Sequence, residues 1–147
     1  MHPYPHLYTV AARAAPSGNV AVTAAGLPTL ATAPPPEFDG PGGIWSPEAL
    51  LVAAVADCFI LTFRAITRAS RYEWQALECS VEGVLERVDG TTRFTRFTTH
   101  AKLTVPASAD AAKAGVLLEK AEHGCLISNS LLGTRSLSAE VLTAPAS

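Results

Sequence analysis

The feature that most constrains this chain is an apolar segment with a clearly marked start, which predicts a long buried helix. Ser46 can cap a helix, Pro47 suits the first helical position, and Glu48 places negative charge at the positive end of the helix dipole. Residues 49–66 then run without Gly or Pro, and apolar side chains cover nearly every face of the first half. Because a helix that is apolar all round is buried on all sides, we expect it at the centre of the fold, wrapped by sheets or also by a second copy of itself.

The segments on either side of this helix alternate between strand and turn patterns. A stretch with four prolines and three glycines, residues 33–43, excludes helix and central strand, so it is a loop that serves either as a surface connection or as one wall of a site. After the helix, Asp89–Gly90 predicts the turn of a hairpin. We therefore expect an α+β domain that spans residues 1–147 as one unit. The predicted strands are 7–15, 20–24, a short one around Leu30, 76–88, 94–105 and 135–143, and the later helices run from Ser108 or Asp110 to Glu122 and from near Cys125 to Gly133.

Composition argues against several classes of partner. The chain is 48% hydrophobic and only 16% charged, its formal net charge is −2, and its eleven basic residues are scattered, so we expect no nucleic-acid partner. The apolar stretch 49–63 is interrupted by Asp57 and is short for a bilayer, so we expect no membrane span. The first residues lack the basic patch and apolar run of a secretory signal. The expected compartment is the cytoplasm, where thiols stay reduced.

Three cysteines are the candidates for chemistry. Cys79 shares the apolar face of a predicted strand and is interpreted as a core thiol. Cys58, midway along the apolar helix, is either a core thiol or a functional one. Cys125 follows His123 and Gly124 at the start of a short helix, where backbone N–H groups favour a thiolate and His123 could add to that effect; alternatively, Cys125 packs beneath the helix start. His123 and Cys125 supply only two ligands of the four that a structural zinc site needs, so no metal site is predicted.

Two motifs then place these cysteines in a known context. Residues 42–59 run from a Gly-rich loop through Ser-Pro-Glu and a small-residue stretch to Ala-Asp-Cys-Phe, and residues 123–131 contain Cys-Leu-Ile-Ser-Asn. Both motifs, in this order and at this separation, resemble those of the OsmC/Ohr family of osmotically induced and organic-hydroperoxide-resistance proteins. The resemblance implies an OsmC-like fold and an intertwined homodimer, in which strands from both chains wrap two long central helices and the active sites lie at the interface.

The resemblance also implies roles for individual residues. Cys58 would be the peroxidatic cysteine, Cys125 its resolving partner, and Glu48 a carboxylate of the same site. Family members with an assigned role reduce organic hydroperoxides with a lipoyl-type dithiol as electron donor, and no metal or organic cofactor is implied. The expected substrate pocket is apolar and consists of Phe38, Trp45, Leu51, Val55 and Phe59.

Spacing and one departure from the family pattern refine these expectations. Glu48 and Cys58 are ten residues apart, which is about 15 Å along a continuous helix, so a Glu48 that serves Cys58 must come from the other subunit. Hydroperoxide-specific members carry an arginine in the first hairpin turn, whereas residues 16–19 here contain none and Arg13 is the nearest substitute. A non-enzymatic protein that binds a small apolar ligand, or a thiol-redox sensor, on the same fold therefore remains an alternative.

Overall fold

The computed structural model describes residues 1–145, and the chain divides into two units, Met1–Leu51 and the part from Val52 onward. Strands, a long helix, a hairpin, two helices and a final strand follow one another in the expected order. This confirms the α+β class with open sheets and a central helix. That residues 1–147 form a single domain stays a prediction, and each unit is described by itself below.

The first unit contains a small antiparallel sheet and the Pro- and Gly-rich loop. Its strands, in the order β1-β2-β3, are β1 (Ala11–Arg13), β2 (Val20–Thr23) and β3 (Leu30–Thr32). The predicted strand 7–15 shrinks to β1, which is exposed along its whole length and pairs with β2 over three positions. The loop holds one 3-10 turn, Pro36–Phe38, and passes so close to itself that a side chain at Gly40 would meet the carbonyl oxygen of Pro34.

Helix α1 (Pro47–Ser70) begins as the sequence predicts, with the Ser46 Oγ accepting a hydrogen bond from the Ala49 N–H at 3.1 Å. Its burial differs from the prediction. Only Val55, Phe59, Phe63 and Thr67 are buried, and these residues form one stripe at a spacing of four. Burial on all sides is therefore wrong for a single chain, in which the apolar residues on other faces, such as Leu61 at 50% exposure, are uncovered.

The length of α1 also corrects the membrane argument. The helix continues past Phe63 to Ser70, so its 24 residues, with a mean hydropathy of 2.1 in the most apolar window, are long and apolar enough to cross a bilayer. The expectation that the apolar segment, taken to end at Phe63, is too short for a bilayer is therefore wrong. The core helix of a soluble protein passes the same test, and Phe59 and Phe63 of α1 do pack in a core.

The second unit is a three-stranded sheet covered on one face by helices. A hairpin joins β4 (Ala76–Val88) to β5 (Thr91–Val105). Its turn places Asp89 and Gly90 at φ of 51° and 78°, and positive φ at both central residues is what a two-residue type I′ turn requires. Strand β6 (Thr134–Thr143) pairs parallel to β5, so the chain between them crosses over the sheet. The core of this unit consists of Phe59, Phe63, Ala101, Leu103, Val105, Ala114, Leu117, Leu118 and Ala121.

The crossover is made of two helices separated by one extended residue. Helix α2 (Ala111–Gly124) is capped by Asp110, whose carboxylate accepts from two backbone N–H groups, so of the two predicted starts the structure selects Asp110 over Ser108. Helix α3 (Leu126–Asn129) is a single turn and ends well before the predicted Gly133. Cys125 lies between the two helices in an extended conformation.

Candidate active site

The helix α1 and the break between α2 and α3 bring two cysteines together. All three cysteines are free thiols; Cys58 is half-buried and Cys125 is fully buried. The Cys125 thiol is close enough to the Cys58 thiol for each to shift the pKa of the other, and its Sγ lies 4.0 Å from the carbonyl oxygen of Val55, one turn before Cys58 in α1. The two cysteines singled out by the motifs are therefore direct neighbours.

Cys58 is surrounded by hydrogen-bond donors. Burial, the largest influence, would raise the pKa of Cys58, but the Ile127 N–H, the Cys125 thiol, the Thr62 hydroxyl and the Leu126 N–H together bring it below its ordinary value. The Thr62 Oγ1 lies 3.8 Å from the Cys58 Sγ. A thiol with a lowered pKa carries more of the nucleophilic thiolate at neutral pH.

Cys125 shows the opposite shift. Cys125 was expected either to be a thiolate favoured by the start of α3 or to pack beneath it. Burial raises the pKa of this thiol, and only its hydrogen bonds with Ser128 oppose the rise. The N–H groups of Leu126 and Ile127 serve Cys58 instead. Of the two thiols, Cys125 is thus the one that more readily keeps its proton, and its Sγ donates to the carbonyl oxygen of Val55.

Cys79 is the third thiol and packs at the edge of the core of the second unit, as predicted. Burial, then the proximity of Cys125 and Glu122, raise the pKa of Cys79 to about 11. A thiol that stays protonated throughout the physiological range is a poor nucleophile. Cys79 is therefore interpreted as a core thiol, whereas Cys58 is the thiol whose pKa is lowered.

Sequence reasoning missed a charged side chain beside this site. Arg135, in β6, donates to the Glu122 Oε1 at 2.7 Å, to the Glu122 carbonyl oxygen and to the Asn129 Oδ1 at 2.6 Å. Glu122 and Asn129 flank Cys125 along the chain. Nothing in the local pattern reveals this link, because Arg135 reaches the site from a strand of the sheet.

Glu48 occupies the second position of α1 and is half-buried, and its Oε1 is shielded from water without a hydrogen-bond partner among residues 1–145. Arg13 is exposed in β1 and forms no ion pair with Glu48. Helix α1 is continuous from Pro47 to Ser70, as the spacing argument assumed. Glu48 and Cys58 of one chain are therefore about 15 Å apart along the helix axis.

Comparisons with known proteins now identify this arrangement. The family described as OsmC-like protein matches residues 40–139, which include both cysteine motifs. The chain belongs to this family. It is 31% identical over 109 residues to the uncharacterized protein YmaD of Bacillus subtilis, an alignment that covers 72% of this chain and 73% of that protein.

Solved structures agree with this assignment to the OsmC/Ohr family. An organic hydroperoxide resistance protein OsmC from Legionella pneumophila is 25% identical, with a TM-score of 0.74 over 95% of this chain and 99% of that one. An OsmC-like protein of unknown function from Vibrio cholerae, 16% identical, superposes with a TM-score of 0.84 over 92% of this chain and 100% of that one. The family fold is that of a soluble protein, so α1 is a core helix.

The residues expected to line the substrate pocket differ in their exposure. Phe38 and Trp45 are about half exposed, at 51% and 49%, and Leu51 is half-buried. Val55 and Phe59 were expected to line the pocket, but they are buried in the stripe of α1, and Phe59 is part of the core of the second unit. Both residues are close to Cys58 in sequence, but their side chains lie in the buried stripe of α1, which explains their lack of exposure.

His123 does not reach the cysteines. Its side chain is exposed at the end of α2, lines an open cleft of about 240 Å³ and forms no hydrogen bond with residues 1–145. It is absent from the groups that shift the pKa of either Cys58 or Cys125. Within the described part of the chain, no three His, Cys, Asp or Glu side chains are grouped as a metal site requires.

Proposed function

We propose that this protein is a thiol peroxidase that reduces organic hydroperoxides through Cys58 and Cys125. The observation that carries the proposal is a thiol of lowered pKa beside a buried thiol of raised pKa, whose Sγ lies 4.0 Å from the carbonyl oxygen of Val55, one turn before Cys58 in α1. Membership of the OsmC-like family and similarity to a Legionella protein named for organic hydroperoxide resistance support the same chemistry.

The reaction has three balanced steps. The Cys58 thiolate attacks the terminal oxygen of ROOH, the O–O bond breaks, Cys58 becomes a sulfenic acid, and the alkoxide takes up a proton and leaves as ROH. The Cys125 thiol then condenses with the sulfenic acid, forming an S–S bond and releasing water. An external dithiol, which we propose to be of the lipoyl type, reduces the disulfide and leaves as its own cyclic disulfide.

We further propose that the working form is a homodimer. Most of α1 is apolar, yet only 22% of its most apolar window is buried within one chain, and an apolar helix face in water favours association. In a dimer, Glu48 of one chain could meet Cys58 of the other, and Phe38 and Trp45 would contribute to an apolar pocket that prefers alkyl hydroperoxides to hydrogen peroxide. We place this protein in the cytoplasm, where dithiol reductants keep thiols reduced.

The test compares cumene hydroperoxide turnover with dihydrolipoamide as reductant in wild type, Cys58→Ser, Cys125→Ser and Cys79→Ser. We expect no turnover above background in Cys58→Ser, loss of dithiol-dependent turnover in Cys125→Ser, and activity close to wild type in the matched control Cys79→Ser. Unchanged activity in Cys58→Ser would refute the proposal.

One observation favours a second candidate, a non-enzymatic protein that binds a small apolar ligand. The first hairpin turn has no arginine, and no cation pairs with Glu48 in the part of the chain described. Titration of thiols before and after one equivalent of cumene hydroperoxide separates the two. Loss of two thiols per chain with a Cys58–Cys125 disulfide supports the enzyme, and no loss supports the binding protein.

A further inference from the structure

Arg135 connects both sides of the turn that carries Cys125. Its guanidinium donates to the side chain and the backbone carbonyl of Glu122 in α2, and to the side chain of Asn129 at the end of α3. Glu122 precedes Cys125 by three residues and Asn129 follows it by four. Together, Arg135, Glu122 and Asn129 form what we call the Arg135 bracket.

The backbone at this turn depends on such a side-chain link. Cys125 has φ of −64° and ψ of 105°, so it interrupts the helical hydrogen-bond pattern between α2 and α3. Its N–H makes a long hydrogen bond, 3.4 Å, to the Glu122 carbonyl, the same carbonyl that Arg135 binds. A helix of one turn has little stability of its own, so the bracket supplies order that α3 lacks.

The bracket is stronger than a surface ion pair. The side chains of Arg135 and Glu122 are only 25% and 11% exposed, so water screens their attraction weakly. Arginine presents several N–H donors in a rigid fork, which lets one side chain hold three acceptors at once. It is the only ion pair within 4.0 Å among residues 1–145. A single side chain of the sheet therefore links both ends of the turn.

We propose that Arg135 is a positioning residue that holds Cys125 against Cys58 while the disulfide forms. The inference rests on the proposed function and deepens it, because it assigns the bracket mainly to the second step. Disulfide formation demands a narrow range of distance and direction between the two cysteines. No atom of the bracket takes part in the attack of Cys58 on peroxide, and the bracket bears on that step only through the Leu126 and Ile127 N–H groups of the turn, which lower the pKa of Cys58. Loss of Arg135 should therefore slow condensation much more than the initial oxidation.

The experiment follows both steps after mixing reduced protein with one equivalent of cumene hydroperoxide. Dimedone traps the Cys58 sulfenic acid, and mass spectrometry counts the adduct and the Cys58–Cys125 disulfide over time. In Arg135→Met, we expect Cys58 oxidation within about twofold of wild type and disulfide formation about tenfold slower, the scale of one lost charge-assisted hydrogen bond. The dimedone adduct should accumulate correspondingly.

Three further variants separate positioning from folding. Arg135→Lys keeps the charge but not the fork, so its rate should lie between those of Arg135→Met and wild type. Asn129→Ala removes only one exposed arm of the bracket and should slow condensation by about threefold without loss of the fold. Arg87→Met, at an exposed position near the β4–β5 turn, is the matched control and should match wild type in both steps.

Two outcomes would overturn the inference: disulfide formation at the wild-type rate in both Arg135→Met and Asn129→Ala, or equal slowing of both steps. The failure of the proposed function is recognised separately, as an absence of Cys58 oxidation in wild type. In that case diamide, which takes up two thiol hydrogens as it becomes a hydrazine, still forms the disulfide without peroxide. The same order of rates among the variants is expected with diamide, so the bracket is tested either way.

Discussion

At the residue scale, the site is organised by the direction of two backbone N–H groups. Leu126 and Ile127 begin a one-turn helix directly after Cys125, yet their N–H groups stabilise the thiolate of Cys58. Only the hydrogen bonds with Ser128 lower the pKa of Cys125, and they do not outweigh the rise caused by burial. The short helix α3 thus lowers the pKa of Cys58 across the site, whereas Cys125, directly before the helix, keeps a raised pKa.

We predict that the three thiols of the native protein separate by pH when they are alkylated with iodoacetamide. Thiolate is the reactive form, so the rate at Cys58 should rise with pH and level off below the pKa of an ordinary thiol. The rate at Cys79 should remain low until the pH approaches about 11. Peptide mass spectrometry measures both rates, with the urea-unfolded chain as a control in which the thiols label alike. Faster labelling of Cys79 than of Cys58 at pH 8 would contradict the assignment.

The residues of this site were only partly predictable. Considered singly, Cys58 and Cys125 could each be a core thiol or a functional one. Only the two motifs together distinguished them from ordinary buried thiols. The direction of the Cys125 pKa shift could not be predicted, because it depends on where N–H groups point after the helices pack. Arg135 was equally invisible, since its partners are 6 and 13 residues away across a crossover.

At the element scale, local signals predicted the second unit well. Strand β4 has the predicted bounds, and Asp89–Gly90 forms the predicted turn, because alternation and turn chemistry are properties of neighbouring residues. The extent of burial of α1 was not predictable from its pattern. Apolarity shows that surface is to be covered, but not whether the same chain or another covers it.

We predict that Asp110 is the functional cap of α2. Its carboxylate satisfies the N–H groups of Ala112 and Lys113, so Asp110→Ala should lower the free energy of unfolding by about 1 kcal/mol. Asp110→Asn should retain most of the stability, and Ser108→Ala, at the other start that the sequence allowed, should change it little. Urea denaturation measures all three. A larger loss of unfolding free energy in Ser108→Ala than in Asp110→Ala would show that Asp110 is not the cap.

At the scale of the whole molecule, one chain leaves two features incomplete: the uncovered faces of α1, and the Glu48 oxygen that has no hydrogen-bond partner among residues 1–145. The family resemblance implied a dimer, and the spacing of ten residues between Glu48 and Cys58 implied that each site takes one residue from each chain. Neither argument depends on the details of packing. The assembly could therefore be proposed from sequence, although a single chain cannot display it.

We predict that two inactive variants restore activity when they share a dimer. Glu48→Gln and Cys58→Ser each disable every site in their own homodimers. In a mixed dimer, the Cys58 of one chain faces the intact Glu48 of the other, so one site of two is complete. Random pairing after co-refolding should recover about a quarter of the wild-type peroxide turnover. Refolding each variant alone is the control, and activity of Glu48→Gln alone would show that Glu48 is dispensable. An inactive mixture of two inactive variants would show that Glu48 and Cys58 of the same chain form each site.

The unequal exposure of the two thiols also sets the chemistry of recycling. Cys125 has no exposed surface, whereas Cys58 is only half-buried. In a Cys58–Cys125 disulfide, an incoming dithiol would therefore approach the sulfur of Cys58, and the mixed disulfide would form there. Cys125 would depart inward as the leaving group and regain its proton within the fold, so regeneration would have a single regiochemistry imposed by access.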